Sequence, residues 1–260
     1  MRYRFRCEYN GAAFFGWQEQ PNGKTVQGEL EGAFSIALRQ KIRITGAGRT
    51  DTGVHARGQV AHFDFDGEEF DPRILENSVN ALSDKNVCIR NLEPCPGDFH
   101  ARYSAKERYY QYAICAGPIV LGAELVWQCG YNLNTVLMAE EAKSFLGEHD
   151  FNAFSIPRND GKSTMCTVTE CRAMGVGAMG VGALRATPLQ PLHPQTWHIR
   201  GNRFLHRQVR AMIGLLFDVG RGRFEPGAVN RVFNGEFIGE RTWAPAQGLT
   251  LADVIFDGVT

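Results

Sequence analysis

Strand-like and helix-like segments follow one another irregularly along the chain, and their order constrains the fold more than any other feature. Residues 2–9 and 59–66 alternate apolar with polar side chains, which predicts two strands. Residues 26–38 carry apolar side chains at helical spacing behind Thr25, a predicted N-cap, and Asp71-Pro72 predicts the start of another helix. Further strands are predicted at 41–45, 87–92, 109–115, 167–174, 196–199 and 251–256, and further helices at 72–82, 135–146, 202–219 and after Pro226. This order predicts a mixed α+β (α/β) fold with two similar halves and several antiparallel neighbours.

The composition is that of an ordinary globular protein. The 260 residues are 43% hydrophobic and 22% charged, which is typical of soluble domains. No run approaches the roughly 18 apolar residues of a membrane span, and the N-terminus leads directly into a strand pattern, so we expect a cytoplasmic protein without a membrane segment. The seven cysteines form no C-x-x-C pair, which favours reduced thiols over a structural zinc site.

The charges are balanced overall but unevenly distributed. A formal net charge of zero argues mildly against a nucleic-acid partner, because phosphate contacts usually need an excess of basic residues. Between residues 200 and 223, however, six arginines face only one acid, Asp218. The total charge therefore hides a local basic region.

Residues 46–58, G-A-G-R-T-D-T-G-V-H-A-R-G, form a glycine-rich loop with almost no apolar side chain to bury. Its spacing matches neither G-x-G-x-x-G nor G-x-x-x-x-G-K-[ST], and a strand follows it rather than a helix, so we reject a nucleotide-binding loop. Asp51 lies between Arg49 and Arg57, and we expect it to stay ionised, which suits a nucleophile better than a general acid. Alternatively, Asp51 makes only an Asx-turn while the arginines face water.

A second arrangement in the same region has the residue types of a metal site. It consists of Asp51, His55, His62 and Asp64. Two histidines seven residues apart across a loop match no known coordination spacing, so a metal site is the less favoured hypothesis.

The segment 202–219 is expected to bury one face. At 100° per residue, Leu205, Val209, Met212, Ile213, Leu216 and Phe217 cover an arc of about 140°, which predicts the core side. Arg210 lies at the edge of this arc, and Arg203 and Arg207 lie further round. A half-buried arginine needs a partner, and a carboxylate such as Asp51 would serve, although a local acid or water would also suffice.

A fourth feature interleaves aromatic with basic residues. It comprises Tyr103, Tyr109, Tyr110 and Tyr112 together with Arg102, Lys106 and Arg108. Such a mixture suits an unstacked nucleobase and its backbone, but an ordinary edge strand has the same appearance. In a strand over 109–115, Tyr110 and Tyr112 share one face, so one of them is predicted in a site and the other in the core.

Several motifs, in their order along the chain, resemble those of the TruA-type tRNA pseudouridine synthases. The central one is G-R-T-D-T-G-V-H-A at 48–56. The others are Y-N-G-A-A-F-F-G-W-Q (9–18), T-V-Q-G-E-L-E (25–31), F-H-A-R-Y-S-A-K-E-R-Y-Y-Q-Y (99–112), D-F-N-A-F-S (150–155) and G-N-R-F-L-H-R-Q-V-R-A-M-I-G (201–214). The resemblance runs from about residue 3 to 257.

The resemblance implies two lobes, each with an RNP-like antiparallel sheet, that join into a continuous sheet with helices on one side and a central catalytic cleft. We place the lobes at 1–105, with the Asp51 loop, and 106–260, with the tyrosine strand and the arginine helix. It also implies a homodimer that converts uridine to pseudouridine at positions 38, 39 and 40 of the tRNA anticodon stem-loop. No metal and no organic cofactor are expected.

By the same resemblance, Asp51 is the catalytic carboxylate, Tyr110 the active-site tyrosine and Arg210 the arginine that pairs with the aspartate. Arg49 is expected to meet the RNA at the flipped base. Further RNA contacts are predicted from His55, Arg57, Arg102, Arg108, Arg203 and Arg207. The motif usually has alanine where Thr52 stands, and we expect activity to be retained.

Two alternatives and one unassigned segment remain from the sequence. In the first alternative the protein is a tRNA-binding module without catalysis. In the second it is a metal-dependent phosphodiesterase that uses Asp51, His55, His62 and Asp64. The segment 175–195 is rich in Gly and Ala and then in Pro, which predicts a mobile loop or hairpin that is longer than the family pattern.

Overall fold

The computed structural model describes residues 1–157, 161–174 and 194–257, and it divides into two compact units. The first unit comprises Met1–Arg108 together with the chain from Thr250, and the second comprises Tyr109–Leu249. The sequence predicts lobes at 1–105 and 106–260, whereas the contacts group the C-terminal strand with the first unit. The predicted loop at 175–195 lies, except for its last two residues, outside the described parts of the chain.

The elements confirm a mixed α+β fold. The strands are β1 Arg2–Tyr9, β2 Thr45–Gly46, β3 His55–Asp64, β4 Val87–Cys95, β5 Ala105–Cys115, β6 Trp127–Gln128, β7 Gly147–Asp150, β8 Met165–Met174, β9 Gln195–Gly201 and β10 Leu249–Phe256. The α-helices are α1 Val26–Leu38, α2 Pro72–Leu82, α3 Thr135–Ala142, α4 Gln208–Gly220 and α5 Ala228–Phe233. In the part of the chain that the structure describes, no helix has the length and apolar character needed to cross a membrane.

The sheet of the first unit has the order β4–β1–β3–β10. Strand β1 is antiparallel to both β3 and β4, and β10 joins β3 in parallel. One face packs on helix α1, where the Phe34 ring lies 5.2 Å from that of Phe5 and 4.7 Å from that of Phe63. The other face of β1 is charged, as in the 2.8 Å ion pair between Arg2 and Asp64. Alternation along β1 therefore separates core from surface, as predicted.

Local capping fixes the starts of α1 and α2, and both predicted starts are confirmed. The Thr25 hydroxyl accepts a hydrogen bond from the Gly28 amide at 3.3 Å. The Asp71 carboxylate accepts one from the Arg73 amide at 2.8 Å, with Pro72 in the first turn. These bonds satisfy amides that have no partner within the helix.

The strand predicted at 41–45 is wrong, because only Thr45–Gly46 forms β2. Two amides of this segment donate to side chains of α1 instead of to a neighbouring strand. The Ile42 amide donates to Ser35 Oγ at 3.0 Å, and the Ile44 amide donates to Glu31 Oε1 at 2.9 Å. Buried amides need a partner, and side-chain acceptors meet that need without a sheet.

In the second unit, the strand order is β5–β9–β8–β7, with β6 beside β5. Helix α4 begins at Gln208, not at 202 as predicted. Arg207 adopts a left-handed conformation with φ of 62°, and the Gln208 side chain accepts from the Leu205 amide at 2.8 Å. Because of this conformation and this hydrogen bond, the helix begins at Gln208 and the residues before it remain a loop. The predicted core side chains of α4 are buried, but so are most of its other residues, so the buried face is wider than predicted.

Candidate active site

Asp51 lies in a tight turn within the loop 46–58, which we call the Asp51 loop. The Asp51 carbonyl accepts a hydrogen bond from the Val54 amide at 3.1 Å. Gly53, in the third position of this turn, has φ of 81°, the left-handed conformation that a type II turn requires and glycine adopts without strain. The Asp51 side chain is half-buried and Thr52 is exposed. The larger side chain of Thr52 therefore belongs to an exposed residue and does not have to be accommodated in the core.

The residue before Asp51 is held from two directions. The Thr50 carbonyl accepts from the Trp17 amide at 3.1 Å. The Thr50 hydroxyl lies 2.8 Å from the Tyr9 hydroxyl in a buried hydrogen bond. The Trp17 carbonyl accepts in turn from the Gln27 amide at 3.0 Å in the first turn of α1. The Asp51 turn is therefore attached to both β1 and α1.

Two glycines let the segment 9–18 approach the loop this closely. A Cβ atom on Gly11 would lie 2.1 Å from the Val54 carbonyl oxygen, and one on Gly16 would lie 2.7 Å from the Thr50 carbonyl oxygen. Gly16 also has φ of 86°. The motifs 9–18 and 48–56 are separate in the sequence, and their contact explains the two glycines of the first motif.

His55 supports the loop from inside. Its side chain is 2% exposed, and its Nδ1 accepts from the Gly11 amide at 3.1 Å. In this conformation the imidazole is not offered to a ligand at the surface. Its placement suits a supporting role better than the predicted RNA contact.

Arg108 likewise has backbone partners. Its guanidinium donates to the carbonyls of Ala105 at 3.1 Å, Ala47 at 3.0 Å and Arg102 at 2.6 Å. This half-buried side chain thus fastens the segment before β5 to the start of the Asp51 loop. Sequence reasoning missed this role, because a guanidinium that binds carbonyls has the same local sequence as one that faces phosphate.

Three of the arginines predicted to bind RNA in the first unit are exposed. They are Arg49, Arg57 and Arg102. Arg49 and Arg57 flank the Asp51 turn in sequence, as the motif implies. The first unit therefore brings together the half-buried carboxylate and a set of accessible guanidiniums on one loop and its neighbours.

The structure separates the roles of the two candidate tyrosines in β5. Tyr112 is fully buried, and its hydroxyl donates to the Pro245 carbonyl at 2.9 Å. Burial also raises the pKa of Tyr112 well above its ordinary value. Tyr110 is 8% exposed and packs edge-on against Phe204 at 5.3 Å. Tyr112 is thus the core residue of the pair, which leaves Tyr110 as the candidate for the site.

The arginines around α4 have different surroundings. Arg210 is half-buried, and its Nε donates to the Ala244 carbonyl at 2.7 Å. Arg203 precedes the helix and donates to the Ser163 carbonyl at 3.0 Å. Arg207 is exposed at the helix start. The helical position assumed for Arg203 and Arg207 is wrong, whereas the position of Arg210 beside the buried face is confirmed.

The four residues of the metal hypothesis do not converge. His55 and His62 are seven residues apart on β3, roughly 23 Å along an extended strand. His62 Nδ1 accepts from the Ala101 amide at 3.2 Å, and Asp64 pairs with Arg2 at 2.8 Å. Across the described ranges, no group of three or more His, Cys, Asp or Glu side chains is arranged to hold a metal ion. This donor geometry contradicts the ligand set of the phosphodiesterase hypothesis.

Comparison with known families adds a decisive observation to this geometry. A family model described as tRNA pseudouridine synthase matches residues 7–104 and 142–257. The chain belongs to the tRNA pseudouridine synthase family. Both Asp51 and Arg210 lie within the family's matched ranges, whereas Tyr110 lies between them.

Relatives within the family are similar over nearly their full length. A protein named tRNA pseudouridine synthase A from Chlorobium phaeovibrioides is 38% identical over 253 residues, covering 95% of this chain and 96% of the relative. Proteins of the same name from Rhizobium meliloti and Burkholderia thailandensis are 37% and 38% identical, covering 86% and 98% of this chain and 87% and 89% of those relatives. The family resemblance inferred from the motifs is confirmed.

Proposed function

We propose that this chain isomerises uridine to pseudouridine in tRNA, at positions 38, 39 and 40 of the anticodon stem-loop. Family membership supports the reaction class, and the names of the relatives support tRNA as the substrate. The observation that carries the proposal is the Asp51 turn. The neighbouring Thr50 is tied to β1 by a buried hydrogen bond between hydroxyl groups and to α1 by backbone bonds through Trp17, while the Asp51 residue remains partly accessible. A carboxylate preorganised in this way suits covalent or general-base catalysis.

The target uridine must first leave the stacked RNA, at a cost of a few kcal/mol. The N1–C1′ bond then breaks, and its electron pair leaves with the uracil. Asp51 either attacks C1′ to form an ester or removes the C2′ proton to give a glycal. The uracil turns and C5 bonds to C1′. In the ester route the bond between C1′ and the Asp51 oxygen breaks as the new bond forms, and in the glycal route C2′ regains its proton. The C5 proton is then lost and N1 gains a proton. The product is an isomer of the substrate, so the reaction consumes no oxidant or reductant.

Tyr110 and Arg210 complete the proposed catalytic set. Tyr110 would stack on the flipped uracil, and a phenol is too weak a base at neutral pH for proton removal to be its main role. Arg210 is the arginine that, by the family resemblance, is proposed to pair with the catalytic carboxylate. Arg49, Arg57, Arg102 and Arg207, all exposed, are the proposed phosphate contacts. We also propose that the active form is a homodimer, which light scattering on the purified protein tests directly.

Tritium release from [5-³H]uridine-labelled tRNA, with EDTA present, tests the proposal. Wild type should release tritium, and Asp51→Ala and Asp51→Asn should lose at least about 10³-fold of that activity while still binding tRNA, because the bonds of the loop to Trp17 and Tyr9 are retained in both variants. Thr52→Ala is the matched control and should remain active.

Three other results would point elsewhere. Binding of tRNA without release by wild type favours the binding module without catalysis. Activity that EDTA abolishes favours metal-dependent chemistry. Release by Asp51→Ala equal to that of wild type refutes the role of Asp51.

A further inference from the structure

The turn between β4 and β5 presents an exposed tyrosine on a rigid base. The His100 Nδ1 accepts from the amides of Arg102 and Tyr103 at 3.2 and 3.3 Å. The Ser104 amide donates to the His100 carbonyl at 2.8 Å, and the Ser104 hydroxyl accepts from the His100 amide at 3.0 Å. Four hydrogen bonds within five residues fix the turn and with it the backbone position of Tyr103.

At this turn three rings contact one another in a row from the core outward, the first pair edge-on and the second tilted. His62, which is 5% exposed, lies 4.9 Å from the His100 ring, and His100 lies 4.4 Å from the Tyr103 ring at an angle of 35°. Tyr103 is 77% exposed, and the Arg102 guanidinium lies 5.9 Å from its centroid. We call these four side chains the Tyr103 platform. An exposed aromatic ring that is backed by two further rings and flanked by a cation has the elements of a nucleobase stacking site.

The two histidines of the platform are neutral aromatic supports. Each Nδ1 accepts a backbone hydrogen bond, so the ring proton is on Nε2. Burial lowers the pKa of His62 to about 4 and also lowers that of His100. At neutral pH the positive charge of the platform therefore comes from Arg102, which is placed to meet a phosphate while the rings meet a base.

The platform is joined to the Asp51 loop within the first unit. Arg108 donates to the carbonyls of both Arg102 and Ala47. His62 is also the antiparallel partner of Thr45, which precedes the loop. These connections set the exposed tyrosine close to the start of the loop that carries the proposed catalytic carboxylate.

We propose that Tyr103 stacks on an unpaired nucleobase of the tRNA substrate and that Arg102 binds the adjoining phosphate. The proposed role of this site is to provide affinity, not chemistry. This inference rests on the proposed function, because its occupant is a nucleotide of tRNA.

Binding of unmodified tRNA and the steady-state kinetics of tritium release test the platform. Tyr103→Ala should weaken tRNA binding about ten-fold and raise KM with kcat changed less than about two-fold, because stacking is lost without a change in chemistry. Tyr103→Phe keeps the ring and should behave as wild type, whereas Tyr103→Leu should behave as Tyr103→Ala. Arg102→Ala should lower the slope of log Kd against log salt by about one.

Tyr131→Ala is the matched control. Tyr131 is 48% exposed, and the Arg221 guanidinium lies 5.2 Å from its ring centroid. The second unit thus offers the same pairing of an exposed tyrosine with an arginine. The Tyr131→Ala substitution should leave the Kd for tRNA unchanged. Values of Kd and KM for Tyr103→Ala equal to those of wild type would refute the proposed role of the Tyr103 platform. Equal losses of tRNA affinity in Tyr103→Ala and Tyr131→Ala would refute it as well. Failure of the proposed function is distinguishable, since a protein that binds tRNA without turnover still reports on Tyr103 through Kd.

Discussion

The hydroxyl groups of Tyr9 and Thr50 lie 2.8 Å apart in a buried hydrogen bond, directly beside the proposed catalytic Asp51. Tyr9 belongs to β1, so this bond transmits the position of the sheet to the turn. In Tyr9→Phe and Thr50→Val the bond is lost while most of the volume is kept. We expect kcat to fall about ten-fold with KM nearly unchanged, because small displacements of a catalytic group are costly.

Thr50→Ser is the conservative control for that prediction. It retains the hydroxyl and should keep most of the wild-type kcat. If Thr50→Val and Thr50→Ser reduced kcat equally, the methyl group and not the hydrogen bond would be what positions the turn. Circular dichroism of each variant confirms that the fold is retained before the kinetics are compared.

Gly11 is predicted to tolerate no side chain. A Cβ atom there would lie 2.1 Å from the Val54 carbonyl oxygen, which is backbone and has little freedom to move. Gly11→Ala should lower the free energy of unfolding by about 2 kcal/mol or more and reduce tritium release. Gly32→Ala, exposed within α1 with nothing within 4 Å of its Cβ, should instead raise stability by about 0.5–1 kcal/mol. Urea unfolding measures both, and equal effects would contradict the packing argument.

Asp218 is a fully buried carboxylate in α4, and its removal is expected to be severe. It accepts from the Thr242 amide at 2.7 Å and pairs with Arg221 at 2.6 Å. Asp218→Ala should cost about 3–5 kcal/mol of unfolding free energy, because its partners lose their acceptor inside the protein. Glu140→Ala removes an exposed ion pair with Lys143 and should change stability by less than about 0.5 kcal/mol. A loss below about 1 kcal/mol in Asp218→Ala would show that solvent replaces the carboxylate.

His62 makes stability sensitive to acid. Burial is the main cause that lowers its pKa to about 4 in the folded state, Arg2 and His100 add to the effect and Asp64 opposes it, whereas the ordinary value is 6.5. Between these values the unfolded chain binds a proton that the folded chain does not. Stability from this group is therefore full above about pH 6.5 and falls as the pH drops towards 4, by at most about 1.4 kcal/mol per pH unit.

His62→Gln isolates this contribution, because glutamine offers an acceptor for the Ala101 amide without a titrating group. Urea unfolding at pH 7.5 and pH 5 should show a smaller loss of stability for the variant than for wild type. Identical losses in the two proteins would assign the acid sensitivity to other groups.

Short-range patterns predicted much of the fold. The Thr25 cap, the helix start at Asp71-Pro72 and the alternation in β1 were each predicted correctly, because the residues that determine them lie within a few positions of one another. The predictions were wrong for segments whose hydrogen-bond partners or backbone conformation are not evident from the neighbouring sequence. Residues 41–44 have a strand-like sequence, but two of their amides donate to side chains of α1. The left-handed Arg207 interrupts the predicted helix 202–219 at a point where no proline or glycine marks the break.

The sequence by itself determined the fold class, the main caps and, through its motifs, the family and the identity of the Asp51 loop. Only the tertiary structure decided that His55 and Arg108 support this loop from within, and that Tyr112 belongs to the core. A polar side chain meets either water or a backbone group according to which segments pack beside it. Gly11, Gly16 and Tyr9 lie far from Asp51 along the chain, so their shared purpose becomes visible only when folding brings their atoms into contact.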